Sequence, residues 1–220
     1  MMSDAMRVHR YATSTDVATA VAERVVALAR EAMTERGMFH WALAGGTSPK
    51  QCYALLRDAD VHWSRVHIWF GDERCLAVGD PERNDVMAMD ALLAHVPIPH
   101  AHIHVIHAEQ GAKQGAALYA EALSTIPALD LALLGVGEDG HTASLFPCNP
   151  ALLDGRLAVP VYHAPKPPAE RVSMGHVMLE KARHRLFMVT GEGKRDVFAR
   201  VCAGEGLPML MADSDYYTSL

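Results

Sequence analysis

The sequence predicts an α/β fold: a single doubly wound, mostly parallel sheet with helices on both faces, Rossmann-like in layout. Three observations predict it. Short apolar runs of strand length alternate with helical patterns of ten or more residues. The runs are continuous rather than alternating, as strands buried on both faces require. Three of them end in polar loops that contain glycine, the places where parallel sheets bind ligands.

The elements follow in order. Ser14, Thr15 and Asp16 are each able to cap a helix whose apolar residues recur at Val17, Val21, Val25, Leu28 and Ala32, until Gly37 stops it. A strand runs over Phe39 to Ala44, broken by Gly45 and Gly46, and Pro49 opens a helix through Leu55 and Leu56. The same grammar recurs at Val66 to Phe70, before Gly71-Asp72-Glu73-Arg74 and a helix from about Asn84, and again at Asp130 to Val136. Ile103 to Ile106 reads as a further short strand, followed by a helix from about Ala112 to Leu123. The proline-rich stretch from Val161 to Arg171 reads as a long loop, because proline cannot lie in a sheet interior. Leu186 to Thr190 is a late buried strand, with a helix from Lys194 to about Ala203. No repeat or low-complexity tract divides the chain, so residues 1–220 read as one domain.

Composition excludes several classes. The chain is 50% hydrophobic and 21% charged with a net charge of −6, which fits a globular protein and offers no general footprint for nucleic acid or an anionic membrane. No run approaches the ~20 apolar residues of a membrane span, and residues 1–13, with Asp4, Arg7, His9 and Arg10, lack the apolar stretch of a signal peptide. Cys52, Cys75, Cys148 and Cys202 form no CxxC pair, so neither a disulfide framework nor a zinc knuckle is expected, and a reducing cytoplasm fits best. His100, His102, His104 and His107 cluster, but no cysteine or paired carboxylate completes a ligand set, and no metal is expected.

Three loops can carry chemistry. In the first, Gly45 and Gly46 let backbone approach a ligand, and the hydroxyls of Thr47 and Ser48 with the amides of a helix start suit an anion such as a sugar phosphate. It is neither an ATP loop nor a dinucleotide fingerprint, and the plain alternative is a glycine turn. In the second, Asp72 and Arg74 reach either a ligand or each other as a solvated pair. In the third, Gly135, Gly137 and Gly140 precede His141 in a tight turn expected to lead from strand to helix. Its imidazole either exchanges a proton near neutral pH or merely packs the turn.

The motifs GGTSPK, GDER with Asn84 downstream, DLALLGVGEDGHTASLFP (Asp130 to Pro147), PKPPAERVSM and VTGEGK resemble, in matching order, the 6-phosphogluconolactonases of the glucosamine/galactosamine-6-phosphate isomerase superfamily. The similarity runs from about residue 14 to Pro208. Its most specific part is the segment around His141, since related deaminases and isomerases follow their histidine with a different sequence. Thr47-Ser48, Arg83 before Asn84, and the tail from Ala212 to Leu220, which lacks the family's aromatic and acidic closing helix, depart from the pattern. The resemblance implies a fold of the sugar-phosphate isomerase/deaminase type and hydrolysis of 6-phospho-D-glucono-1,5-lactone, with no metal or organic cofactor. It implies His141 as general base, Arg74 as oxyanion or substrate partner, and Asp72 as the group that orients His141 or the water. Gly45, Gly46, Thr47, Ser48, Asn84 and Gly140 would line the substrate. Lys166 and Arg171 would be either phosphate partners or solvated loop cations. The partner implied is a small sugar-phosphate lactone, with the chain a monomer or small homo-oligomer. Two alternatives stay open: a deaminase or isomerase of the same superfamily, marked by ammonia release or isomer interconversion, and a noncatalytic sugar-phosphate-binding regulator, marked by saturable binding without turnover.

Overall fold

A computed structural model describes residues 6–220 of the chain; Asp4, on which the reading of the N-terminus partly rests, lies outside them. In chain order the elements are β1 (Met6–Arg10), α1 (Ser14–Arg36), β2 (Phe39–Leu43), α2 (Thr47–Leu55), β3 (Val66–Phe70), β4 (Asp72–Arg74), α3 (Asn84–Ala91), α4 (Ala112–Leu123), β5 (Leu131–Gly135), β6 (Ala158–Val161), β7 (Arg171–Met174), α5 (His176–Glu180), β8 (His184–Val189), α6 (Arg195–Cys202) and β9 (Ser214–Thr218).

Six strands form one parallel sheet in the order β1-β9-β8-β5-β2-β3. Its inner strands are buried almost throughout, which is why their sequences are continuous apolar runs. Helix α1 buries Val17, Val21, Val25, Leu28 and Ala32 along one face. Its cap is Thr13 rather than any of the three residues after it. The Thr13 hydroxyl accepts from the Asp16 N–H at 3.1 Å, and the Asp16 carboxylate accepts from the Thr13 N–H at 3.0 Å, a reciprocal capping box.

Four further expectations change. A second sheet, antiparallel in the order β4-β7-β6, stands beside the first; the chain enters it through the single residue Gly71 after β3. The proline-rich stretch is accordingly the loop of a hairpin, and its two ends, Val161 and Arg171, pair as strand residues. Ile103 to Ile106 is not a strand. Ile103 makes one bridge to Ile68 and the His104 N–H donates to the Ile68 carbonyl, after which the Ile106 carbonyl is taken by the Arg83 guanidinium at 3.1 Å and the segment leaves the sheet. The two chain ends supply strands the sequence reading passed over. Strand β9 lies buried between β8 and β1, and Asp215 accepts from Arg7 at 2.9 Å and pairs with His9 at 2.8 Å across the β1 edge. No helix of the described residues is long and apolar enough to cross a membrane.

The histidine cluster packs on itself. His67 stacks between His40 and His102, with centroids at 4.7 and 4.0 Å, and its Nδ1 lies 3.0 Å from His104 Nε2; the His104 ring covers Trp69 at 3.9 Å. Stacked rings do not converge their lone pairs, and no metal-holding group of three or more ligands is found among the described residues. Burial, reinforced by the neighbouring imidazoles of His102, His40 and His104, pushes His67 down to about 4. Burial also lowers His40, against the pull of Asp130, and His104. A base held neutral in the fold binds its proton more readily when unfolded, so this stabilisation is complete above the ordinary imidazole value of about 6.5 and is lost as pH falls toward 4. We therefore expect the melting temperature to drop across that window and His67→Gln to flatten the drop; an unchanged slope in thermal melts would remove His67 as its source.

Candidate active site

The parallel strands end level with one another: β2 and β3 at the Leu43–Phe70 pair, β5 and β8 at Gly135–Met188. Beyond these ends lies a cavity of about 510 Å³. Strands β2 and β5 are neighbours, yet the chain leaves β2 toward β3 and β5 toward β8, in opposite directions. The cavity thus sits where the winding reverses, the expected crevice of a doubly wound sheet. Two tyrosines secure its floor. The Tyr53 hydroxyl on α2 accepts from the Ala44 N–H at 2.9 Å and donates to the carbonyl of the same residue at 2.8 Å. Tyr119 on α4 does the same to Phe70, at 2.8 and 2.9 Å.

The GGTSPK loop forms one wall. A Cβ at Gly45 would lie 2.1 Å from Asn84 Oδ1, so only glycine lets this loop close onto α3. Gly46 precedes Thr47 at the start of α2, whose N-terminus has no side-chain cap and keeps N–H groups for a ligand. Ser48 Oγ lies 2.5 Å from Thr190 Oγ1, which joins this wall to the loop after β8.

The GDER segment is strand β4 itself, and Asp72 and Arg74 both line the cavity. Asp72 is buried; its carboxylate accepts from the Ser144 hydroxyl at 2.6 Å and from Asn84 Nδ2 at 3.1 Å. Arg74 donates to the Glu82 carbonyl, while its buried Nε has no partner among the described residues.

The third loop does not run into a helix. It folds back on itself: the Gly140 N–H donates to the Gly137 carbonyl, the Gly137 N–H to the His141 carbonyl, and the Thr142 hydroxyl to the Gly135 carbonyl. With these donors satisfied within the turn, the chain continues irregularly to Pro150. A Cβ at Gly137 would fall 2.0 Å from His141 Nδ1, so the imidazole occupies space that any other residue there would fill. His141 Nδ1 lies 2.5 Å from Asp139 Oδ1, and the ring packs on Phe146 at 4.4 Å. Asp139, not Asp72, is therefore the carboxylate that holds His141. Burial works against the Asp139 anion, but the His141 N–H and ring outweigh it and leave its carboxyl below the usual value. A carboxylate on Nδ1 fixes the tautomer with Nε2 unprotonated, ready to accept a proton.

The cations divide. Arg171 is buried on the cavity wall, donating to the carbonyls of Lys166 and Pro168 at 3.0 and 3.2 Å and lying 5.5 Å from the Phe146 ring centroid. Lys166 is exposed, pairs with Glu138 at 3.5 Å and is not on that wall. Lys194, from the loop after β8, is on the wall instead; burial pushes its ammonium down against the pull of Glu138. Asp139, Ser144 and Lys194 were not singled out by sequence. Asp139 and Ser144 both lie in the motif around His141 and Lys194 in VTGEGK, but nothing in those motifs says which of their side chains turn toward the site.

The chain belongs to the family of glucosamine-6-phosphate isomerases and 6-phosphogluconolactonases, whose model matches residues 12–217. Among its relatives, 6-phosphogluconolactonase of Streptomyces coelicolor is 36% identical over 86% of this chain and 80% of its own. The human GDH/6PGL endoplasmic bifunctional protein is 38% identical over 84% of this chain, which spans about a quarter (25%) of that protein's length. In fold, the crystal structure of 6-phosphogluconolactonase from Thermotoga maritima superposes with a TM-score of 0.89, covering 97% of this chain and 98% of the other at 22% identity.

Proposed function

We propose that this chain hydrolyses 6-phospho-D-glucono-1,5-lactone to 6-phospho-D-gluconate, the second step of the oxidative pentose phosphate pathway. The observation that carries the reading is the Asp139–His141 pair at the lip of a cavity lined by three cations. It supplies what lactone hydrolysis needs: a base for water, positive charge for the oxyanion, and an anchor for phosphate. His141 Nε2 takes a proton from water as the oxygen attacks the C1 carbonyl. The tetrahedral oxyanion is stabilised by Arg74 and nearby backbone N–H groups. Collapse breaks the bond from C1 to the ring oxygen, and the imidazolium returns its proton to that oxygen. Asp72, held by Ser144 and Asn84, faces the substrate hydroxyls or the water, and Lys194 and Arg171, both on the cavity wall, serve the phosphate. The reading assigns no metal or organic cofactor, treats residues 1–220 as one domain, and suits a protein of the cytoplasm acting as a monomer or small homo-oligomer.

The family includes glucosamine-6-phosphate isomerases as well. The sequence Gly140-His141-Thr142-Ala143-Ser144-Leu145-Phe146-Pro147 favours the lactonase, because it resembles the lactonase pattern while related deaminases and isomerases follow their histidine with a different sequence; here Thr142, Ser144 and Phe146 hold the turn, Asp72 and the imidazole in place. The test is lactone decay with purified protein, corrected for spontaneous hydrolysis. We expect the phosphorylated lactone to turn over far faster than gluconolactone, since the dianion forms charge-assisted hydrogen bonds that a hydroxyl cannot. Equal catalytic efficiency for the two would refute the phosphate anchor. Ammonia release from an amino-sugar phosphate, or saturable binding without turnover, would redirect the assignment.

A further inference from the structure

Strand β4 alternates: Asp72 and Arg74 point to the cavity, so the residue between them points away. That residue, Glu73, is 1% exposed. Its Oε1 accepts from the Arg74 and Asn84 N–H groups, both at 2.8 Å, and its Oε2 from the Asp85 N–H at 2.9 Å. Asn84 and Asp85 open α3, whose N-cap, Arg83, makes no side-chain cap bond. Burial pushes this carboxyl up to about 7 against the pull of the three N–H donors, so above that pH Glu73 caps α3 from another element, with its charge at the positive end of the helix. The Asn84 side chain then donates to both the carbonyl and carboxylate of Asp72 and lies against Gly45. One buried carboxyl touches, directly or through one residue, Arg74, Asp72 and the first glycine loop.

We propose that Glu73 is a positioning residue for the hydrolysis, setting Arg74 and, through Asn84, Asp72 without touching substrate; this rests on the lactonase reading. Arg83, 2% exposed, braces the same junction from behind by pairing with Asp85 at 2.8 Å and Glu109 at 3.3 Å. The arrangement has little slack, because all three donors meet one carboxyl and a neutral amide of the same size presents only one acceptor oxygen.

The experiment compares wild type, Glu73→Gln, Arg74→Ala and the double variant in the lactone assay, with folded fraction measured by thermal melts. For Glu73→Gln we expect kcat/KM per folded molecule to fall roughly 10- to 100-fold, the loss expected when charge-assisted bonds are removed. In the Arg74→Ala background the same change should cost less than about threefold, because its main target is already gone. If Glu73→Gln does not fold, Glu73→Asp, which keeps the charge one methylene short, should fold with an intermediate loss and the same non-additivity. Wild-type kcat/KM in the folded single variant, or a loss fully additive with Arg74→Ala, would overturn the proposal and leave Glu73 as a purely structural cap. A wild-type protein inactive on the lactone would instead sink the functional reading, and this inference with it.

Discussion

Replacing His141 with asparagine should lower kcat by about 10² to 10⁴, the usual cost of removing a general base, while the protein still folds and binds 6-phosphogluconate. Asparagine keeps a polar side chain beside Asp139 but cannot accept the proton of the attacking water. The discriminating variant is His141→Gly, which leaves the space beside Gly137 that the ring occupies. Added imidazole should restore part of its turnover in a concentration-dependent way. Rescue reports proton transfer, because a histidine that only packed against Phe146 would affect folding and leave nothing for free imidazole to replace. Asp139→Asn should lose a smaller but still large factor: an amide can present its N–H to Nδ1 and favour the wrong tautomer. Normal turnover in folded His141→Asn would move the base to Asp72.

The second large effect concerns the phosphate. Lys194→Ala should raise KM for the phosphorylated lactone more than it lowers kcat. A charged hydrogen bond of ~1.5–3 kcal/mol corresponds to about 10- to 150-fold in affinity. Lys166→Ala should change either constant by less than about threefold, since an exposed pair such as Lys166–Glu138 contributes little. Neither variant should alter hydrolysis of the unphosphorylated lactone. If Lys166→Ala weakens binding and Lys194→Ala does not, the loop lysine is the phosphate ligand after all.

These two lysines show how far the sequence could be read. Strand and helix periodicity placed β2, β3, β5, α1 and α4 within a residue or two, because long apolar patterns report burial directly. Strands β4, β6 and β7 are three or four residues long and carry charges or proline, so no pattern announced the second sheet. The tail is buried by pairing with β8 and β1, partners that local propensity cannot see. Glycine loops at strand ends located the site, but not who touches whom within it. Asp72 and Asp139 were both near enough to reach His141 in principle, and the choice depended on a turn that closes on itself instead of opening a helix. Both lysines stood in visible motifs, but Lys194 reaches the wall only because β8 lies next to β5, while Lys166 ends exposed beside Glu138.

Tyr53 and Tyr119 carry a consequence for how substrate is met. Each hydroxyl holds both the N–H and the C=O of one residue, and with them two successive peptide units, so neither Ala44 nor Phe70 can swing without breaking two bonds in a dry environment, where each orphaned group costs about 1–3 kcal/mol. The two hinges from which an induced closure would start are thereby locked before any ligand arrives. Association should therefore carry a small conformational-entropy penalty, and amides at both positions should exchange with solvent only through global unfolding, with or without 6-phosphogluconate bound.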